Sequence, residues 1–249
     1  MIFIATILSL SKISKRAEEK IILSDVSFDI LPGSIIGFLG PNGAGKTTTL
    51  KIAAGLVKPT SGEVLVRGVS LTEQRKVAKQ MMTFIPDNPL LYDELTGKEY
   101  IRFFMDLFAV DVPAKKVEDE IERFRFQTEY NKQILHYSLG NRKKLALLCA
   151  MLRRSPLLLL DEYISGLDPV NSILIREILR EYVKGGNSIL LSTHQLDIVK
   201  SFCDGAIFIN EGSIVDRRTL PEILQDNDSI ESYFLSQLQS SETAQKGIR

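Results

Sequence analysis

The chain has no tryptophan, only two histidines and two cysteines in 249 residues, and its 31 basic side chains are balanced by 31 acidic ones. Two cysteines cannot build a disulfide framework. Cys149 lies in the apolar run Leu145-Ala146-Leu147-Leu148-Cys149-Ala150 and Cys203 beside Phe202, so both read as core thiols. Balanced charge gives no global field towards nucleic acid or anionic lipid. The short basic clusters Arg142-Lys143-Lys144, Arg153-Arg154 and Arg217-Arg218 read as solvated helix or turn surface. Long apolar runs are missing too. The first ten residues are apolar, but no basic residue precedes them, no small-x-small cleavage pattern follows, and they fall short of the roughly 20 residues a bilayer needs. Residues 2–10 therefore read as a buried edge strand, and the chain is not expected to cross a membrane. Internal repeats and low-complexity tracts are also absent. What remains is 44% hydrophobic and 25% charged, the profile of a globular chain with a sizeable core, as one large domain or a core with a subdomain.

The most specific stretch is Gly40-Pro41-Asn42-Gly43-Ala44-Gly45-Lys46-Thr47, followed by Thr48, on the pattern G-x-x-x-x-G-K-[ST]. The apolar Ile35-Ile36-Gly37-Phe38-Leu39 before it reads as a buried strand and Thr48-Thr49-Leu50-Lys51-Ile52-Ala53-Ala54 after it as a helix. Glycines at 40, 43 and 45 let the backbone turn its N–H groups inward as an anion-binding nest, and the helix N-terminus adds partial positive charge. Lys46 supplies a point charge to the outer phosphates and the Thr47 hydroxyl a ligand for Mg²⁺. The expectation is a nucleoside-triphosphate-binding protein.

Two further strand ends fit that chemistry. Leu157-Leu158-Leu159-Leu160 runs into Asp161-Glu162: the first carboxylate is placed to hold Mg²⁺, the second to orient or deprotonate an attacking water. Ser188-Ile189-Leu190-Leu191-Ser192-Thr193 ends in His194, where a γ-phosphate sensor would sit. A GTPase would need an N-K-x-D motif; Asn131-Lys132-Gln133-Ile134 lacks the Asp.

Tyr137-Ser138-Leu139-Gly140-Asn141, just before the apolar stretch 145–152, resembles the signature sequence of ABC-type ATPases. Ser165-Gly166-Leu167-Asp168 is similar to their D-loop and Ile85-Pro86-Asp87 to the start of their Q-loop. The motif order matches an ABC nucleotide-binding domain over roughly residues 1–220. The run Pro89-Leu90-Leu91-Tyr92-Asp93-Glu94-Leu95-Thr96 and the tail Ile230-Glu231-Ser232-Tyr233-Phe234-Leu235 resemble bacterial exporter-type (ABC-2-like) subunits, whose membrane part is a separate polypeptide.

The resemblance implies an α/β fold: a P-loop NTPase (RecA-like) core, an N-terminal antiparallel β subdomain (about 1–35 and 62–85), and a helical insertion (about 88–153) carrying the signature. The ATPase domain would span residues 1–235, with 236–249 a frayed tail. Helical patterns over 98–108 and 113–124 support the insertion, and Gly185-Gly186 reads as a helix C-cap. It implies ATP and Mg²⁺ as ligands, with Thr47, Asp161 and Asp87 near the metal. Glu162, His194 and Lys46 would be catalytic, and Ser138, Leu139, Gly140 and Asn141 would reach the ATP of a second subunit paired head to tail. The expected partners are that second nucleotide-binding subunit, identical or not, and an integral-membrane permease; no nucleic acid is expected. The protein would be cytoplasmic, peripheral on the inner face of the membrane. Among Leu90, Tyr92, Tyr100 and Phe104, one or two would line the groove that takes the permease's coupling helix.

Four departures stand beside the matches. Lys12-Ile13-Ser14-Lys15 occupies the stretch where an adenine-stacking aromatic is expected, leaving Ile13 as a substitute packing surface; a lost base–aromatic stack is worth roughly 1–3 kcal/mol. Asp87 replaces a glutamine and either strengthens the metal site or adds negative charge near the γ-phosphate. Leu139 and Asn141 alter the signature, and Tyr163 follows Glu162 where proline is usual. A nucleotide-binding regulator without hydrolysis is the alternative that the missing aromatic motivates. A soluble ABC ATPase acting on ribosomes or DNA would need linked cassettes or long coiled-coil insertions, which this chain lacks.

Overall fold

The computed structural model describes residues 6–226 and 232–234. Two sheets carry the fold. The first is antiparallel, in the order β2-β1-β4-β5, from β1 (Leu8–Ala17), β2 (Lys20–Ile30), β4 (Ser61–Val66) and β5 (Val69–Ser70). The second has six strands in the order β10-β9-β3-β8-β7-β6: β3 (Ile35–Leu39), β6 (Met82–Ile85), β7 (Leu157–Asp161), β8 (Ser188–Thr193), β9 (Gly205–Asn210) and β10 (Ser213–Thr219). All neighbours in it are parallel except β9 and β10.

Its inner strands β3, β7, β8 and β9 are largely apolar because both faces are covered, while the edge strand β10 carries Asp216, Arg217 and Arg218. Successive residues of β7 feed opposite cores. Leu157 and Leu159 pack with Phe28, Leu50 and Ile207 towards the antiparallel sheet. Leu158 and Leu160 pack with Leu148, Ile175 and Phe202 towards the helices. Those helices include α6 (Pro169–Lys184), α7 (Leu196–Phe202) and α8 (Leu220–Asp226), whereas α1 (Lys46–Ala53) and α2 (Arg75–Gln80) pack in the core shared with the antiparallel sheet.

The insertion is helical, with α3 (Gly97–Leu107), α4 (Ala114–Arg123) and α5 (Leu139–Arg153). Thr96 and Glu99 close a reciprocal capping box that starts α3. Gly185 and the left-handed Gly186 end α6 as expected.

Three expectations need correction. The N-terminal strand is not an edge over 2–10: β1 starts at Leu8 and pairs on both sides, Leu8 with Ile30 and with Val66; residues 1–5 lie outside the described part. Residues 71–85 do not extend the antiparallel sheet, because β6 pairs in parallel with β7. The basic run 142–144 is not solvated surface, since Lys143 and Lys144 are buried at 0% and 7% exposure. The tail 236–249 and residues 230, 231 and 235 lie outside the described residues, but Tyr233 meets the Phe208 ring edge-on. Cys149 and Cys203 are buried free thiols, as read.

Candidate nucleotide site

In the six-stranded sheet the chain passes from β3 to the far edge at β6, returns through β7 and β8, and crosses to β9 on the other side of β3. That reversal opens a crevice at the carboxyl ends of β3, β7 and β8, where ligands bind in open α/β sheets. The three motif segments emerge there together.

The loop 40–47 leaves β3 and turns directly into α1. Gly45 takes φ +104, and a Cβ there would stand 2.5 Å from Leu23 Cδ2. Gly40 has a different reason: its Cβ would meet the Ile209 carbonyl oxygen at 2.3 Å. Lys46 is buried and its Nζ donates to the carbonyls of Gly40 (2.8 Å) and Pro41 (3.1 Å). The same ammonium stands 3.6 Å from Glu162 Oε1.

Asp161 ends β7, buried, beside Ser192 of β8 in the parallel register. Its Oδ1 accepts from the Ser192 hydroxyl at 2.5 Å and the Thr47 hydroxyl at 3.1 Å. The Asp161 carboxylate and the Thr47 hydroxyl offer oxygen donors beside a loop built to hold phosphate. That fits Mg²⁺, which keeps most of its waters and takes few protein ligands. Among the described residues no cluster of three or more His, Cys, Asp or Glu side chains is arranged for a metal.

Glu162 has φ +47, a left-handed conformation that costs a non-glycine residue about 1–3 kcal/mol. Its N–H is fixed by the Ser192 carbonyl (3.1 Å) and hydroxyl (3.0 Å). The carboxylate meets three groups: Ser165 Oγ donates to Oε2 at 3.1 Å, His194 Nδ1 lies 3.1 Å from both oxygens, and Lys46 faces Oε1. Glu162 is mostly sheltered at 18% side-chain exposure and His194 half-open at 46%. Lys46, Thr47, Asp161, Glu162 and His194 thus converge as the sequence implies.

The signature segment faces elsewhere. Ser138 caps α5, accepting from the Asn141 N–H at 3.3 Å, and Leu139 is exposed. Asp168 caps α6 in the same manner at 3.0 Å. The Asn171 N–H and side-chain amide hold its carboxyl below the usual range. A Cβ on Gly140 would find only Asn171 Nδ2 at 3.5 Å, Ser138 Oγ and Leu167 Cδ2, all ordinary contacts.

Asp87 is drawn to another partner: its Oδ1 accepts from Lys143 Nζ at 2.8 Å. Ile13 is fully buried in the core and offers nothing to a base. The apolar side chain at the mouth is Ile22, which lines the cleft with Asn42, Gly43, Thr48 and Glu162. Two functional neighbours escaped the sequence reading. Ser192 is one, and the register Asp161↔Ser192 could have found it. Lys143 is the other, and its place four residues before Leu147 on the buried stripe of α5 was the available signal.

Sheet order, loop and paired carboxylates together define a P-loop nucleotide-binding ATPase. Residues 23–165 match the ABC transporter family. The chain is 32% identical over 240 residues to YhcH of Bacillus subtilis (strain 168), an uncharacterized ABC transporter ATP-binding protein, covering 96% of this chain and 78% of that one. Its fold superposes with a TM-score of 0.86 at 28% identity on a solved ATP-binding subunit of an ABC transporter, over 94% of this chain and all of that one. A dimeric cassette, MJ0796, solved with ADP and phosphate in a post-hydrolysis state, shares the fold at 21% identity with a TM-score of 0.76 over 86% of this chain and 98% of that one. The chain belongs to the ABC transporter family as an ATP-binding ATPase subunit. No helix among the described residues is long and apolar enough to cross a membrane.

Proposed function

We propose that this chain is the motor of a membrane exporter, closing on ATP as a head-to-tail pair and reopening after hydrolysis. The observation that carries the reading is the Glu162 carboxylate, held by Ser165, His194 and Lys46 at the mouth of the phosphate loop. Glu162 accepts a proton from the attacking water, and its fixed backbone aims the carboxylate before substrate arrives. Lys46 and His194 place donors and positive charge beside the γ-phosphate. Thr47 and Asp161 would hold Mg²⁺, which would neutralise charge shared by the outer phosphates, while Asp87 stays paired with Lys143.

The signature provides the other half. The exposed N-terminus of α5 carries Ser138, Leu139, Gly140 and Asn141, a second anion-binding end that a lone chain leaves facing water. Ser165, Gly166, Leu167 and Asp168 lie between the two halves and would carry contacts from one copy to the other. Triphosphate bridging two copies favours closure, and its cleavage removes the bridge. The permease would seat in the apolar groove lined by Pro89, Leu90, Leu91, Tyr100 and Phe104; Leu90 is 92% exposed there. That arrangement keeps the chain on the cytoplasmic face of the membrane.

The test is Mg²⁺-dependent ATP hydrolysis beside Glu162→Gln. Loss of the base is expected to lower turnover by about 10²–10⁴-fold while ATP binding persists. Turnover unchanged in Glu162→Gln would refute the assignment of the base. A wild-type chain that binds ATP without turning it over, alone or with its permease, would establish the regulatory alternative.

A further inference from the structure

Lys143 has no exposed surface, yet it is a lysine on a helix whose neighbouring buried residues are largely apolar. Its ammonium is the centre of a small polar knot. It donates to Asp87 Oδ1 at 2.8 Å, the Ser165 carbonyl at 2.9 Å and the Tyr163 carbonyl at 3.1 Å, with the Glu162 carbonyl at 3.4 Å. The Tyr163 hydroxyl donates back to the Lys143 carbonyl at 2.6 Å, and the ammonium stands 5.7 Å from the Tyr163 ring centroid. The turn from Glu162 to Ser165 therefore wraps around one cation. A buried ammonium needs a counter-charge, and Asp87 supplies it from the end of β6.

We propose that Lys143 is a positioning residue for hydrolysis. Its ammonium, held by Asp87, fixes the turn that aims Glu162 and sets Ser165 against the Glu162 carboxylate. The inference rests on Glu162 being the base. The physical argument is geometric. Glu162 occupies a left-handed backbone conformation, which persists only where its surroundings over-determine it. Ser192 fixes its N–H side, while Lys143 fixes its carbonyl side and the next residues. The bonds of the Lys143 ammonium go to Asp87 and the turn 162–165 and to no residue of the phosphate loop. Its loss should therefore act on turnover rather than on ATP affinity.

The experiment is steady-state ATP hydrolysis by the full chain carrying Lys143→Met, Lys143→Gln, Asp87→Asn and the double Asp87→Asn/Lys143→Gln, with thermal unfolding of each. Lys143→Met should lower kcat by roughly 10–100-fold with KM for ATP little changed, because an ångström of misplacement at the base has that effect. Lys143→Gln keeps two donors without the charge and should recover part of the loss. In the double variant both charges are gone, so its kcat should exceed the product of the two single effects. If Lys143→Met does not fold, the Gln and Asn variants carry the test. A folded Lys143→Met with wild-type kcat, or single effects that multiply without coupling, would overturn the proposal. Glu162→Gln assayed alongside separates the two claims: retained activity there refutes the base, whereas wild-type kcat in the Lys143 series refutes only the positioning role.

Discussion

The two anion-binding ends of this chain are built in opposite ways. At the end of β3 every functional group already has a partner: Lys46 bonds two loop carbonyls, Asp161 accepts two hydroxyls, and Glu162 is gripped by Ser165 and His194. At the start of α5 Ser138 and Leu139 are exposed, and the cap is closed only from within the chain, by the Asn141 N–H to the Ser138 hydroxyl and the Arg142 N–H to the Ser138 carbonyl. A preassembled half can bind and polarise phosphate alone. The open half has its backbone donors and its Gly140 surface to offer to something that is not this chain. In the proposed head-to-tail pair, cooperativity enters through this difference: one chain carries two half-sites, and neither copy completes its own.

The strongest way to break that comparison is the loss of Glu162, whose expected effect of several decades in turnover exceeds every other. The Lys143 series comes next, at one to two decades, because it disturbs the aim of the base and leaves its chemistry intact. A pair of glycine substitutions sharpens the contrast further. Gly45→Ala meets both φ +104 and the Leu23 side chain, so it should lower stability by about 1–3 kcal/mol and weaken ATP binding together. Gly140→Ala has room inside its own chain and should leave the fold intact or raise its stability by up to about 1 kcal/mol. Any loss of turnover in Gly140→Ala then reports on a surface approached from outside. Thermal unfolding and nucleotide titration separate the two.

The smallest effect concerns the thiols. Burial pushes Cys203 up to about 12 and Cys149 well above its ordinary value. The thiolate form reacts, so at pH 8 both should resist alkylation in the folded chain. Labelling should appear only with denaturant; fast labelling of native protein would show that the core around α5 and α7 opens.

Most of the site was legible because its chemistry demands local pattern. The phosphate loop needs its glycines and lysine in eight adjacent positions, and Asp161-Glu162 and His194 each terminate an apolar strand. What was not legible depends on residues far apart. Lys143 reads as one more charge in a basic run, and its burial is decided by Asp87, 56 positions away, and by Tyr163, 20 positions away. β1 reads from the sequence as short and peripheral because its apolar alternation breaks after Leu10. The bulged register between Leu10 and Ile13 shifts the inward face, so Lys12, Lys15 and Arg16 hide a strand that runs on to Ala17. Ile13 was misread for the same reason: the bulge turns it into the core. Ile22 lies on β2 opposite the register shift between Lys15 and Arg16 of β1 and lines the nucleotide cleft.

In the proposed head-to-tail pair the base of one copy works with the signature of another. Glu162→Gln leaves the signature intact, and Gly140→Arg leaves the base intact. Each variant alone should be inactive, because both composite sites of its pair lack one half. Mixed before nucleotide is added, the two should regain ATP hydrolysis, since a mixed pair holds one site with Glu162 from one chain and Gly140 from the other. A mixture no more active than the average of its components would contradict the head-to-tail pair.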